Sequence, residues 1–179
     1  MDTEIEKKKF IDIANIVKTK NPKLYKILPR FVLKIIIKII HEEELNEDMQ
    51  TLAPYFGVQK FKEFLRIKNI KTEIIGEENI PKEGRFIFVS NHPLGGPDGI
   101  IFTAAVSNYF ESVKFLVNDI LLNIPGVRDV FLPTNKHGGN TRDYLKQLDD
   151  AYSSDSQMLI FPAGMVSRKT KGKIVDAEW

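Results

Sequence analysis

The sequence contains no cysteine. Disulfide bonds, thiolate nucleophiles and zinc sites with cysteine ligands are therefore excluded, and the chain suits a reducing compartment. It also lacks an uninterrupted apolar run of about 18 residues, the length that a membrane-spanning helix requires. The first ten residues, MDTEIEKKKF, mix acids and lysines without an apolar stretch. We therefore expect no secretory signal peptide.

An excess of charge of one sign is also missing, since 26 Lys and Arg residues against 24 Asp and Glu residues give a net charge of +2. Together with the lack of alternating aromatic and basic residues, this balance predicts no nucleic-acid partner. The chain has neither the G-x-S-x-G elbow of serine hydrolases nor the G-x-x-x-x-G-K-[ST] phosphate loop. It has three histidines and few carboxylates at ligand spacing, so we expect no metal site.

What the sequence does contain is enough apolar material for a folded core, because 42% of its 179 residues are hydrophobic. Residues 1–70 have helical periodicity, whereas residues 71–179 alternate short apolar strands, starting at Thr72–Gly76, with helices. This order predicts an α/β fold with a mixed sheet flanked by helices, preceded by an all-helical N-terminal region. No Gly/Ser-rich spacer is present, so we expect a subdomain boundary near residue 70 and not a linker.

The helical segment at residues 23–40 is unusually apolar, with Pro29 inside it as a kink or the start of a second helix. Its basic residues recur at every fourth position, at Lys26, Arg30, Lys34 and Lys38. At about 100° per residue this spacing keeps them on one side of a helix. Two interpretations remain: an interfacial helix on anionic lipid headgroups, or a core helix with one solvated basic face. The width of the apolar arc favours the membrane surface.

The stretch RFIFVSNHPLGGPDGII, at residues 85–101, combines a buried strand, a Pro/Gly turn and a helix start. His92 follows the strand, and Asp98 is placed as the N-cap or a first-turn residue of the helix. A carboxylate across the loop can accept one ring N–H and leave the other imidazole nitrogen free as a base. The alternative is an ordinary loop histidine and a capping aspartate.

Two boxes resemble those of the lysophospholipid and glycerolipid acyltransferases, the family of 1-acylglycerol-3-phosphate acyltransferase. NHPLGGPD is similar to that family's Asn-His-(x)n-Asp box, and IFPAGMVSRK, at residues 160–169, is similar to its Phe-Pro-Glu-Gly-Thr-Arg-Ser box. The resemblance implies that His92 deprotonates the acceptor hydroxyl, and that Asp98 orients and charges the histidine. The spacing between them is one residue longer than is common in the family, which a glycine-containing turn can absorb.

The resemblance also implies a set of substrate-binding residues. These are Asn91, Gly95, Gly96, Arg128, Lys136, Gly164, Ser167 and Arg168. Lys136 stands where the family has a phosphate-binding arginine, and it lacks the bidentate fork of that side chain. Ala163 replaces the usual glutamate of the third box, and Arg168 is displaced by one position, with a solvated basic tail as its alternative role. We expect His137 to be a surface-loop residue.

These residues predict an acyltransferase that moves a fatty acyl group from acyl-CoA or acyl-carrier protein, as co-substrate without a cofactor, to the hydroxyl of a lyso-lipid. The altered boxes make a lyso-aminolipid a competitor to lysophosphatidic acid as acceptor. The expected location is the cytoplasmic face of the inner membrane, as a peripheral or monotopic protein. The alternative is a non-catalytic lipid-binding module on the same scaffold. Because family members continue beyond the third box, we expect a C-terminally truncated chain with an incomplete acyl pocket.

Overall fold

The structure is a computed structural model that describes residues 9–134 and 141–179. The chain divides into two compact units, one ending at Pro54 and the other running from Tyr55 to Trp179. The first unit is helical in its described residues. Its helices are α1 (Ile13–Lys20), α2 (Pro22–Ile27), α3 (Arg30–Ile39) and α4 (Glu42–Thr51).

The break between α2 and α3 follows from Pro29. The residue before it, Leu28, is extended, with φ −69° and ψ 118°, because a following proline disfavours the helical region. Pro29 then precedes the first residue of α3. The prediction that Pro29 starts a second helix is confirmed. Within the described ranges, no helix has the length and apolar character needed to cross a bilayer.

Two polar side chains of α4 bind the segment that precedes α1. The Asn46 amide accepts hydrogen bonds from the backbone N–H groups of Phe10 (2.7 Å) and Ile11 (2.8 Å), and it donates one to the Ile11 carbonyl (2.8 Å). Glu42 is buried, accepts a hydrogen bond from the Ile13 N–H at 2.8 Å, and pairs with Lys9. This ion pair raises the pKa of Lys9, chiefly through its hydrogen bond to Glu42. Polar contacts therefore hold the segment before α1 against α4.

The second unit begins with α5 (Gly57–Ile67), which the sequence places in the helical N-terminal region. Here α5 packs against a later helix, α6 (Gly96–Val106). The ring of its Phe61 lies 5.5 Å from that of Phe131, between centroids. The apolar face of α5 therefore contributes to the α/β core, in agreement with its place in the compact unit that begins at Tyr55.

The α/β prediction is confirmed, but the prediction of a mixed sheet is wrong. Four strands pair in the order β1-β4-β2-β3, all parallel. They are β1 (Ile87–Val89), β2 (Val113–Asn118), β3 (Phe131–Thr134) and β4 (Gln157–Ile160), with α7 (Thr141–Ser153) between β3 and β4. Crossover connections favour this parallel arrangement. In the described residues, antiparallel pairing occurs in a separate hairpin of β5 (Arg168–Thr170) and β6 (Lys173–Val175).

The predicted strand at Thr72–Gly76 is also wrong. This stretch is irregular and leads into a 3₁₀ turn at Glu77–Asn79. Gly76 has a φ of 81° and directly precedes the 3₁₀ turn, and Ile75 is 91% exposed. The apolar pair Ile74 and Ile75 thus buries too little surface to join the sheet.

The core of the second unit forms around β2, one of the two central strands, on which buried and half-buried residues alternate. Alternation on a strand places every second side chain on the same face of the sheet. The buried cluster consists of Phe61, Val106, Val113, Phe115, Val117, Val127, Val130, Phe131 and Leu159. One of its members, Phe115, also lines the cleft that contains the candidate site.

Candidate active site

His92 and Asp98 meet across the turn between β1 and α6, as the sequence predicts. The Nδ1 atom of His92 lies 3.0 Å from the Oδ2 atom of Asp98. The same oxygen accepts hydrogen bonds from the backbone N–H groups of Leu94 (2.8 Å) and Gly95 (3.1 Å). Gly95 has a φ of 83°, a conformation that favours glycine and lets the turn close onto the carboxylate. Asp98 therefore both stabilises the first turn of α6 and holds the histidine ring.

This pair is largely shielded from solvent, with 19% of the His92 side chain and 11% of the Asp98 side chain exposed. A Nδ1–H that donates to a carboxylate leaves Nε2 as the unprotonated nitrogen. Such an imidazole can accept a proton from a hydroxyl group placed within hydrogen-bonding distance of Nε2. The geometry is thus that of an oriented general base.

Phe161, a third-box residue that the sequence did not identify as a site residue, stacks on the imidazole. The centroids of the two rings are 4.1 Å apart, and their planes differ by 17°. Phe161 is itself held by an edge-on contact with Phe115, at 5.1 Å between centroids. Its place in the third box, directly after a buried strand, was the sequence signal for this role. The stack restricts rotation of the His92 ring about its Cβ–Cγ bond.

A cleft of about 460 Å³ lies beside the histidine, at the carboxyl ends of the parallel strands. Open α/β sheets commonly bind their ligands in this position. Its lining combines the turn after β1, including His92, Gly95 and Gly96, with the segment from Ile160 to Gly164. Its apolar lining residues include Phe115, Leu116, Val117, Leu121, Ile160, Phe161 and Val166. The cleft therefore suits an apolar ligand whose reactive group reaches His92.

The two boxes are also joined by hydrogen bonds. The Ser167 N–H donates to the carbonyl of His92 at 2.8 Å. The Ser167 hydroxyl donates to one carboxylate oxygen of Asp176, and the Asn91 amide donates to the other at 2.7 Å. Asp176 had not been singled out in the sequence, because a lone aspartate after an exposed strand carries no signal for this contact.

Comparison with known proteins agrees with the two boxes. A family model described as "Acyltransferase" matches residues 15–179. This chain belongs to the acyltransferase family.

Two curated relatives of this acyltransferase-family chain carry the name lyso-glycine lipid O-acyltransferase. The protein from Bacteroides thetaiotaomicron is 41% identical over 170 residues, which cover 94% of this chain and 62% of the relative. The protein from Phocaeicola vulgatus is 40% identical over 170 residues, covering 94% of this chain and 61% of the relative. The chain thus spans about three fifths of the length of these relatives. No solved structure matches it.

The other residues that the acyltransferase resemblance implied as substrate-binding do not all lie in the cleft. Gly164 lines the cleft, whereas Asn91 and Ser167 are engaged with Asp176. Arg128 is exposed and precedes β3, on the side of the sheet opposite the carboxyl ends of the strands. Arg168 is exposed as the first residue of β5. Neither arginine is among the lining residues of the cleft. Lys136 and His137 lie outside the described residues.

Across residues 9–134 and 141–179, no group of three or more His, Asp or Glu side chains is arranged to hold a metal ion.

Proposed function

We propose that this chain transfers a fatty acyl group from a thioester donor, acyl-CoA or acyl-carrier protein, to the hydroxyl of a lyso-lipid. The observation that carries the proposal is the 3.0 Å contact between His92 Nδ1 and Asp98 Oδ2 at the wall of an apolar cleft. Membership of the acyltransferase family supports the same reaction class.

In the proposed reaction, Nε2 of His92 removes the proton from the acceptor hydroxyl as its oxygen attacks the thioester carbonyl carbon. A new C–O bond forms, and the resulting tetrahedral intermediate collapses with cleavage of the C–S bond. The thiolate leaves and takes up the proton from His92, which returns the imidazole to its neutral form. Asp98 stabilises the transient imidazolium through Nδ1, as a buried carboxylate does in other His–Asp pairs.

For the acceptor, we propose a lyso-aminolipid of the lyso-glycine lipid type. Both relatives are named for that acceptor, and each is about 40% identical to this chain. None of the described residues that line the cleft is a lysine or arginine. A phosphate monoester would therefore find no positive side chain among them to balance its charge. These features favour a lyso-glycine lipid over lysophosphatidic acid.

We also propose that residues 23–40 lie on an anionic membrane surface. On α3, Phe31, Ile35 and Ile39 are exposed, although each is large and apolar. Arg30, Lys34 and Lys38 are exposed in the adjacent positions. An exposed apolar row beside a basic row is the pattern of a helix that lies in the headgroup region. The cytoplasmic face of the inner membrane is the location that we propose for this contact.

The test measures transfer of labelled palmitoyl from acyl-CoA and from acyl-carrier protein to two acceptors, lyso-glycine lipid and lysophosphatidic acid. We expect wild-type transfer to lyso-glycine lipid, and a loss of about 10² or more in His92→Ala, the scale of removing a general base. His41→Asn is the matched control, because it removes an exposed histidine from the first unit and keeps a residue that tolerates the observed φ of 56°.

Two outcomes would contradict the proposal. If His92→Ala transfers as fast as the wild type, His92 is not the base. If the wild type binds the lyso-lipid but transfers no acyl group from either donor, the chain acts as a non-catalytic lipid-binding module on the same scaffold.

A further inference from the structure

The hairpin formed by β5 and β6 is unusual in this unit because all six of its strand residues are exposed. Its register pairs Arg168 with Val175. The next residues outward on the two strands are Ser167 and Asp176. The hairpin therefore buries little apolar surface, yet it brings Asp176 back to the start of β5, which lies within the third box.

The contacts of Asp176 converge on the segment that carries the histidine. One carboxylate oxygen accepts from the Asn91 amide, 2.7 Å away, and the other accepts from the Ser167 hydroxyl. Ser167 in turn binds the carbonyl of His92 through its own N–H, at 2.8 Å. A single carboxylate thus holds the residue before His92 directly and the backbone of His92 through one intermediary. Hydrogen bonds to an ionised acceptor are stronger than those between neutral groups.

We infer that Asp176 is a positioning residue that fixes the backbone of His92 against the third box. This inference rests on the proposed acyl transfer. Its role is distinct from that of Asp98, which holds the imidazole ring through Nδ1. Asp98 sets the tautomer of the ring, whereas Asp176 sets the place from which the ring projects into the cleft. Because a displacement of about 1 Å of a reacting group can cost 10²-fold in rate, such an anchor affects turnover without touching substrate.

The test compares Asp176→Ala and Asp176→Asn with the matched control Glu178→Ala, which removes an exposed carboxylate from the same tail. In Asp176→Ala we expect kcat to fall by roughly 10-fold or more, with little change in KM for the acyl donor. Asp176→Asn should recover most of the loss, because its amide oxygen can accept from Asn91 and its NH₂ group can donate to the Ser167 hydroxyl. Glu178→Ala should behave as wild type.

A second readout does not depend on turnover. The ring ¹⁵N and ¹H resonances of His92 are recorded by NMR in the same four proteins. We expect the His92 resonances to shift or broaden in Asp176→Ala, to return towards wild type in Asp176→Asn, and to stay unchanged in Glu178→Ala. An inert wild type would argue against the proposed function, while the NMR comparison would still decide the role of Asp176.

The inference is overturned if Asp176→Ala keeps the kcat of the wild type, or if its His92 resonances coincide with those of the wild type. It is also overturned if Asp176→Asn, folded by circular dichroism, shows the full effect of the alanine variant on the His92 resonances. If Asp176→Ala does not fold, Asn91→Ala replaces it, since it removes the 2.7 Å contact to Asp176. We expect Asn91→Ala to change the same His92 resonances, and an unchanged spectrum would refute the inference.

Discussion

At the scale of single residues, the candidate site depends on how a few side chains hold the His92 ring. The ring is held on one edge by Asp98 and on one face by Phe161. Aromatic contacts of this kind contribute about 0.5–1.5 kcal/mol beyond the area that they bury. The Phe161 stack is therefore strong enough to affect the alignment of the His92 ring, and weak enough to be removed without unfolding the unit.

Phe161→Leu tests this role of the stack, because leucine keeps most of the apolar volume and removes the ring. We expect kcat for acyl transfer to fall by roughly 2- to 10-fold, which corresponds to that stacking energy. The matched control is Phe110→Leu, which loses ring contacts to Phe86 and Phe88 away from the cleft. The control should lower the melting temperature and leave kcat near that of wild type. Equal kcat values for the two variants would contradict a role of the stack in catalysis.

Burial of Lys60 makes the stability of the chain depend on pH. This residue is only 3% exposed. Burial lowers the pKa of Lys60, since the charged ammonium is less well solvated in the folded chain. The folded chain therefore releases this proton at a lower pH than the unfolded chain. Between the two pKa values the unfolded state binds more protons, so the contribution of Lys60 to stability rises with pH in that alkaline window.

Lys60→Met should accordingly stabilise the chain at neutral pH, by on the order of 1 kcal/mol, because it removes the buried charge and keeps an apolar side chain of similar length. This advantage over wild type should shrink as pH rises through the lowered pKa of Lys60. The measurement is urea unfolding of both proteins from neutral to alkaline pH. Lys82→Met, at an exposed lysine, is the control and should show no such change with pH. A constant advantage for Lys60→Met across the pH range would refute this account.

At the scale of elements, α3 is the helix whose exposed surface does not resemble that of a soluble helix. Phe31, Ile35 and Ile39 follow one another at four-residue spacing, so they share one side of the helix. The residue before each of them is basic, which places a positive row along the apolar row. The half-buried residues of α3, such as Leu33 and Ile36, lie at other positions and satisfy its packing.

Charge reversal on α3 distinguishes lipid binding through its basic row from lipid binding through the net charge of the protein. We expect Lys34→Glu/Lys38→Glu to lose most of its binding to vesicles of anionic lipid in a sedimentation assay, since each basic residue near the surface contributes about 1 kcal/mol. The matched control is Lys71→Glu/Lys82→Glu, which makes the same change in net charge at exposed positions of the second unit. The control should bind as wild type does. Equal losses in both double variants would show that net charge, and not α3, decides binding.

At the scale of the whole molecule, the net charge of +2 is too small to draw the protein to an anionic surface by itself. Any attraction must therefore come from a local row of basic residues, and surface charges are screened over about 8–10 Å at physiological salt. The apolar row of α3 should in contrast keep part of its affinity at high salt, because burial of apolar surface does not depend on screening.

Salt should thus weaken vesicle binding without abolishing it. We expect the affinity of wild type to fall between about 0.05 M and about 0.5 M salt and then to level off, as the electrostatic part is screened. A Phe31→Ser/Ile35→Ser variant should instead lose its remaining binding at the high salt concentration. Binding of wild type that disappears completely at high salt would show that the apolar row does not enter the lipid.

The sequence by itself determined the local features of this protein. Apolar runs ending in Pro/Gly turns identified the strand before His92 and the helix that starts around Asp98, because these signals act between near neighbours. Pro29 marked the break between α2 and α3 for the same reason. The order of the two boxes indicated the acyltransferase family, to which the chain belongs.

Only the tertiary structure decided which distant residues meet. It showed a parallel sheet in place of a mixed one, and no strand at Thr72–Gly76, because pairing depends on partners far along the chain. It placed Phe161 on the imidazole and connected Asn91 to Asp176 across 85 positions. Such contacts form where separate elements converge at the carboxyl ends of the strands, and no spacing along the sequence encodes that convergence.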